Sequence, residues 1–395
     1  MLTPSPAPDL IVARPEGLYC PPGKFYIDPW RPVDMAVITH AHADHARRGH
    51  TRYLGSEVGS GVLKARMGAD IDLQTLAYGE SIEHHGVRIS LHPAGHVLGS
   101  AQVRLEHQGQ VWVASGDYKT GPDATCAPFE PVRCDVFITE STFGLPVFRW
   151  DSDAVLFDQI NRWWQANAEA GRASVLYAYA FGKGQRLLAG VDPSIGPIIT
   201  HGAMTALNAA YRAAGVPLPP TRSVLEVDKA DLKRALVLAP PSAQGSTWLR
   251  RFGEHSDAFA SGWMQLRGLR RRRALDRGFV VSDHADWPGL MQAIGATGAA
   301  RVIVTHGYIE PLVRHLQEHG LEASAFATEF GDDQLDAALD ATDNPEPSKT
   351  LGSQADAAAE AGNGVEALRP PDDRTPASPF EDAGTDAGVG HGAAE

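Results

Sequence analysis

The sequence predicts an α/β protein in which a small parallel α/β unit interrupts a strand-rich body, and three observations predict it. Short apolar runs alternate with turns through the first 145 residues. From Asp153 strand-like and helix-like runs alternate one for one, and after Arg277 the strand-like texture of the opening returns. Regular alternation of strand and helix is the pattern of a parallel sheet.

The elements follow in order. Residues 35–39, the alternating run 87–91, and 101–105, 111–114 and 136–139 read as strands, with weak helical periodicity between them. An amphipathic helix is predicted over 155–169. Then come a strand at 174–180, a helix at 184–189, a strand at 197–200, a helix at 204–214 and a strand at 235–239. The body resumes with strands at 279–281 and 301–305. From about Asp332 the chain is rich in Ala, Asp, Gly and Pro, buries too little apolar surface to offset its ordering entropy, and reads as a disordered tail.

Composition narrows the class. No uninterrupted apolar stretch approaches the roughly 20 residues that span a membrane, and the Pro-rich residues 1–9 lack the charged and apolar regions of a secretory signal, so a cytoplasmic protein is expected. Three cysteines with no Cys-x-x-Cys pair indicate neither a disulfide framework nor a thiolate zinc knuckle. The net charge of −13 argues against a nucleic-acid partner until its distribution is read. Of 48 acidic and 35 basic residues, 15 and 3 lie from Asp332 onward, which leaves 33 and 32 in residues 1–331. Residues 245–277 hold eight arginines against Glu254, Asp257 and Asp276. Within it the run 267–277, which includes Arg270 and Arg271, reads either as a track for a phosphate backbone with Trp248 and Trp263 nearby stacking on bases, or as a solvated helix face with two core tryptophans. The acidic tail is a solubilising appendage or a competitor for the same arginines.

Ionisable residues recur immediately after these strands. Residues 35–39 lead into His40, His42, Asp44 and His45; 87–91 leads to His96, 111–114 to Asp117 and 136–139 to Glu140. The later strands lead to Asp283 and His284, and to His306. Strand ends on one sheet edge converge on one cleft. Imidazole and carboxylate together suit zinc, manganese or iron. Two histidines two apart in an extended loop can face one metal, while Asp44 and His45, expected at the start of a helix, turn toward a second, with Asp117 as the natural bridge.

The run His40-Ala41-His42-Ala43-Asp44-His45 resembles the signature of the metallo-β-lactamase superfamily, and Pro93-Ala94-Gly95-His96 and Ser115-Gly116-Asp117 resemble its later motifs. Tyr26-Ile27-Asp28 is similar to the upstream strand whose Asp supports the ligand loop. Around Glu140, His284 and His306 the chain resembles the three added motifs of the nucleic-acid-cutting β-CASP branch, and the inserted unit falls where that branch carries its cap. The resemblance implies an αββα sandwich with an inserted α/β β-CASP-like cap: core at 1–144, cap at 145–278, core again at 279–331 and tail at 332–395.

It further implies two divalent metal ions, zinc or manganese. His40, His42 and His96 would hold one, Asp44, His45 and His306 the other, and Asp117 would bridge them. His284 matches the branch's proton donor and Glu140 its acidic motif. An activated hydroxide would attack the phosphodiester in line. Phe181-Gly182-Lys183-Gly184-Gln185 is either a phosphate-holding turn, with Gly182 and Lys183 as its contacts, or an ordinary strand-to-helix turn. Segments 239–242 and 261–264 resemble bacterial ligase-associated DNA exonucleases, which implies DNA repair, a DNA substrate, and a DNA ligase and helicase as pathway partners. An RNA-processing nuclease is the alternative within the same chemistry. A small-molecule thioester or lactam hydrolase would use the metal loop but has no need of the insertion, and a noncatalytic relative would lack ligands that this chain retains.

Overall fold

The computed structural model describes residues 8–266 and 275–329; the arginine stretch around Arg270 and Arg271 and the acidic tail lie outside the described residues. The described chain forms three sheets. The first contains β1 (Val12–Arg14), β2 (Gly17–Cys20), β3 (Phe25–Ile27), β4 (Met35–Val37), β5 (Arg52–Ser56) and β6 (Leu73–Leu76) in sequence order. The second runs β18-β17-β11-β10-β9-β8-β7, from β7 (Ser81–His84), β8 (Val87–Pro93), β9 (Ala101–His107), β10 (Gln110–Ala114), β11 (Val136–Ser141), β17 (Arg301–Gly307) and β18 (Glu322–Ala325).

These two sheets pack face to face. Leu18, Ile27, Val37 and Leu54 from the first meet Ile89, Leu91, Val103, Leu105 and Ile138 from the second. Each outer face is covered by helices. Ala36, Ile38 and Tyr53 share a core with Val62 and Leu63 of α1 (Ser60–Met67), while Val113, Phe137, Val302 and Val304 lie under helices Trp287–Thr297 and Ile309–Glu318.

The third sheet is formed wholly by residues between β11 and β17, and all its strand pairs are parallel. Its order is β13-β14-β12-β15-β16, from β12 (Ala173–Tyr177), β13 (Ile198–Thr200), β14 (Leu236–Ala239), β15 (His255–Ala260) and β16 (Arg277–Phe279). Helices α2 (Asp153–Glu169), α3 (Lys183–Gly190) and α4 (Thr205–Ala213) cover one face and share their core with α1 and the first sheet. Phe143, Phe148 and Trp263 lie on the other. β12 is buried at every position, as a parallel strand covered on both faces must be.

The predicted strands and helices of 87–239 each have a counterpart within a few residues. Two local expectations fail. Asp44 and His45 do not open a helix: residues 43–45 form a single turn closed by Ala46 N donating to His42 O at 2.8 Å. It is a single α-turn, one helical turn that the chain does not continue. The strand expected at 279–281 ends at Phe279, and the chain runs irregularly through His284 to reach the site.

Candidate metal centre

The sequence-predicted residues converge on the Asp117 carboxylate. His40 Nε2 and His96 Nε2 lie 3.4 and 3.7 Å from Asp117 Oδ2, and His45 Nε2 and His306 Nε2 lie 3.5 and 3.0 Å from Oδ1. His42 joins through Nδ1, 3.0 Å from His96 Nε2. Two groups result, each with its potential donor atoms within 4.8 Å of one another: His40, His42, His96 with Asp117, and His45, His306 with Asp117. Asp44 Oδ2 is 3.7 Å from His45 Nε2 and flanks the second.

The far nitrogen of each ring is tied down, which fixes which nitrogen faces inward. Thr39 Oγ1 is 3.0 Å from His40 Nδ1, and Thr305 Oγ1 is 3.0 Å from His306 Nδ1. His45 Nδ1 is 2.7 Å from Asp28 Oδ2, and His96 Nδ1 donates to the Asp283 carbonyl at 2.7 Å. Asp28 also accepts from Thr39 N at 2.7 Å, so one carboxylate anchors both ends of the His40–His45 loop. It does so from the left-handed region, at φ 43°, which Asp tolerates better than most residues.

Such a donor set fits divalent cations. His40 Nε2 and both Asp117 oxygens are buried with no well-formed hydrogen bond, and leaving such groups unsatisfied costs on the order of 1–3 kcal/mol each. Burial, reinforced by charge at His45, pushes His40 down to about 3, and burial likewise lowers His42 and His96, so these rings are neutral as metal ligation requires. Burial opposes charge on His45 too, but the Asp117, Asp44 and Asp28 carboxylates outweigh it and hold that ring up to about 10. The same negative potential would stabilise a cation.

Beside this cluster stands a second polar pair. β11 slips register against β17 between Thr139 and Ser141, and the irregularity turns Glu140 inward. Its carboxylate accepts from Tyr118 N at 2.7 Å and meets His284 Nδ1 at 2.9 Å. Burial opposes both charges, yet each partner outweighs it: Glu140 holds His284 up to about 9, and His284 draws Glu140 below the usual carboxylate range. Asp117, Glu140 and His284 offer atoms within 4.8 Å of one another.

The predicted phosphate turn lies against the same site with a different local logic. Gly182 has φ 79°, and a Cβ there would stand 2.4 Å from Val97 Cγ1, so glycine is required by the packing of this turn on the His96 loop. Phe181 packs on the His42 ring at 5.0 Å. Lys183 is buried and paired with Asp283 at 3.3 Å. Of the two readings of Trp263, stacking platform or core residue, the structure has the second: it is buried 4.7 Å from the Phe143 ring. Sequence reasoning missed the roles of Thr39, Thr305 and Arg186. The doublets Thr39-His40 and Thr305-His306 carried a usable signal.

No protein-family model matches the chain. It is similar to a probable DNA ligase of Opitutus terrae, 31% identical over 82% of this chain and 31% of that protein. It is also similar to the cleavage and polyadenylation specificity factor subunit 3 of Dictyostelium discoideum, 25% identical over 40% of this chain and 25% of that protein. An RNase J-like protein of Methanocaldococcus jannaschii is 25% identical over 45% of this chain and 50% of that protein. The chain thus spans between a quarter and a half of the length of these relatives. A crystal structure of a protein of unknown function from Enterococcus faecalis V583 shares the fold, with a TM-score of 0.53 at 12% identity over 75% of this chain and 80% of that one. The relatives include nucleases, and the chain belongs to the β-CASP branch of the metallo-β-lactamase superfamily.

Proposed function

We propose that this protein is a metal-dependent DNA exonuclease acting in repair. The observation that carries the nuclease reading is the His284–Glu140 pair abutting the Asp117-centred cluster, because a phosphodiesterase needs a proton for its leaving group next to its metals. The DNA choice is supported by the similarity to a probable DNA ligase over 82% of this chain. A ligase and a helicase are the proposed partners and the cytoplasm the proposed location; among the described residues no helix is long and apolar enough to cross a membrane. In the same reading the two facing sheets are the superfamily's αββα sandwich, at 1–144 and 279–331, and 145–278 is the β-CASP cap.

His40, His42 and His96 would hold one cation, Asp44, His45 and His306 the other, with Asp117 between them. When bound, divalent cations at such a site activate water and offset the charge on a phosphodiester. Asp28, Thr39 and Thr305 keep the ligand rings oriented. Glu140 holds a proton on His284, and His284 gives it to the departing alkoxide, which is otherwise a poor leaving group. Lys183 reaches a substrate phosphate only by releasing Asp283. If Lys183→Ala leaves activity on 5′-phosphorylated and unphosphorylated ends equally unaffected, Gly182 and Lys183 have no phosphate role.

The test offers the protein, with manganese or zinc, end-labelled single-stranded DNA and RNA of one sequence. A ladder growing from one end of the DNA is expected. Cleavage of RNA alone would favour the second reading, an RNA-processing nuclease, to which the names of the Dictyostelium and Methanocaldococcus relatives point.

A further inference from the structure

A buried ion network lies behind the metal centre and ties the third sheet's helices to it. Arg186 on α3 is buried, yet it meets three loops or termini at once. Its Nη2 donates to Asp153 Oδ1 at 2.6 Å in the first turn of α2, and its Nε lies 3.4 Å from Asp123 Oδ2 in the segment that follows Asp117. Its Nη1 donates to the Ser282 carbonyl and lies 3.7 Å from Asp283 Oδ1. The Ser282–His284 segment thereby receives a charge-assisted hydrogen bond and an ion pair from one side chain, and Lys183 pairs with the same Asp283 from the preceding turn.

That segment carries out two tasks. The Asp283 carbonyl accepts from His96 Nδ1, and Ser282 Oγ accepts from His284 N at 3.1 Å. It has no regular secondary structure to hold it, so its position depends on the groups that grip it. A carbonyl that orients a ligand histidine can do so only while its own backbone is held in place.

We infer that Arg186 is a positioning residue for the metal centre, acting through Asp283: the inserted unit sets the orientation of His96, and so metal affinity, without touching the metal. A buried guanidinium with three acidic neighbours could serve folding alone, and the two roles separate by experiment. The inference rests on the reading that His40, His42, His96 and Asp117 hold a metal.

The experiment measures manganese affinity and stoichiometry by titration against a competing chelator, together with the melting temperature of the metal-free protein. It uses the wild type, Arg186→Met, Arg186→Lys and Asp283→Asn. Loss of an outer partner of a metal ligand typically weakens binding by about 10- to 100-fold. A loss in that range is expected for R186M at one of two ions, with partial recovery in R186K, which restores the charge without the planar fork. D283N keeps the carbonyl to His96 but loses the anion that Arg186 grips, and a smaller loss is expected. If R186M fails to fold, R186K and D283N decide. Variants that bind manganese like the wild type, whether or not they melt earlier, overturn the inference. A wild type that binds no manganese would instead sink the metal reading beneath it.

Discussion

His284 is the residue on which the chemistry is most exposed to test. It lies beside the cluster without belonging to either group centred on His40 or His45, so His284→Ala should reduce turnover by orders of magnitude while metal content stays near that of the wild type. Equal loss of both would make it a ligand, and loss of neither would remove it from the reaction. Its partner sets a pH dependence. A general acid must be protonated, and a folded value raised above the ordinary one keeps the proton through neutral pH; activity is then lost as pH rises through that folded value. Glu140→Gln removes the negative charge that outweighs burial, so the alkaline limb of the kcat profile should move to lower pH. An unmoved limb would show that some other group donates.

At the scale of elements, the site is a property of strand ends and of the loops they launch. β8, β10, β11 and β17 run in one direction within the second sheet, since β9 is antiparallel to both β8 and β10, so the residues after them reach one edge. This much is legible locally, because a short apolar run followed by His or Asp is written in consecutive residues. The loop from Ala94 to Ser100 is less legible. Gly99, at φ 79°, comes so close to α1 that an added Cβ would stand 2.1 Å from Gly59 Cα. Gly99→Ala therefore combines left-handed strain with a backbone clash, and a loss of about 3 kcal/mol or more in urea unfolding is expected. A change below about 1 kcal/mol would mean that the loop and α1 separate easily, and His96 would then be less rigidly placed than its hydrogen bonds imply.

For the molecule as a whole, metal and fold should be linked. A cluster whose Asp117 oxygens and neutral histidines are buried together gains stability from any cation that binds only the folded chain, by about 2.7 kcal/mol at a hundredfold excess over Kd. Chelator should lower the melting temperature, and manganese or zinc should restore it. A melting temperature indifferent to both would count against a metal site at Asp117.

What the sequence determined by itself was the α/β architecture and which polar residues to suspect: the His40–His45 run, His96, Asp117, Glu140, His284 and His306, each lying at or soon after the end of a short strand. These follow from neighbours in the chain, where apolar periodicity and adjacent polar residues are directly visible. Only the tertiary structure decided how each donor is aimed. His96 takes its orientation from the carbonyl of Asp283, 187 residues away, and Glu140 takes its inward turn from a slip in register against β17. Lys183, which reads locally either as a phosphate contact or as part of an ordinary turn, is paired with Asp283, and Arg186 is paired with Asp123, Asp153 and Asp283 from other elements. Orientation and charge balance depend on which surfaces meet across the fold, and the energy of a buried polar group is set by the partners that packing brings to it.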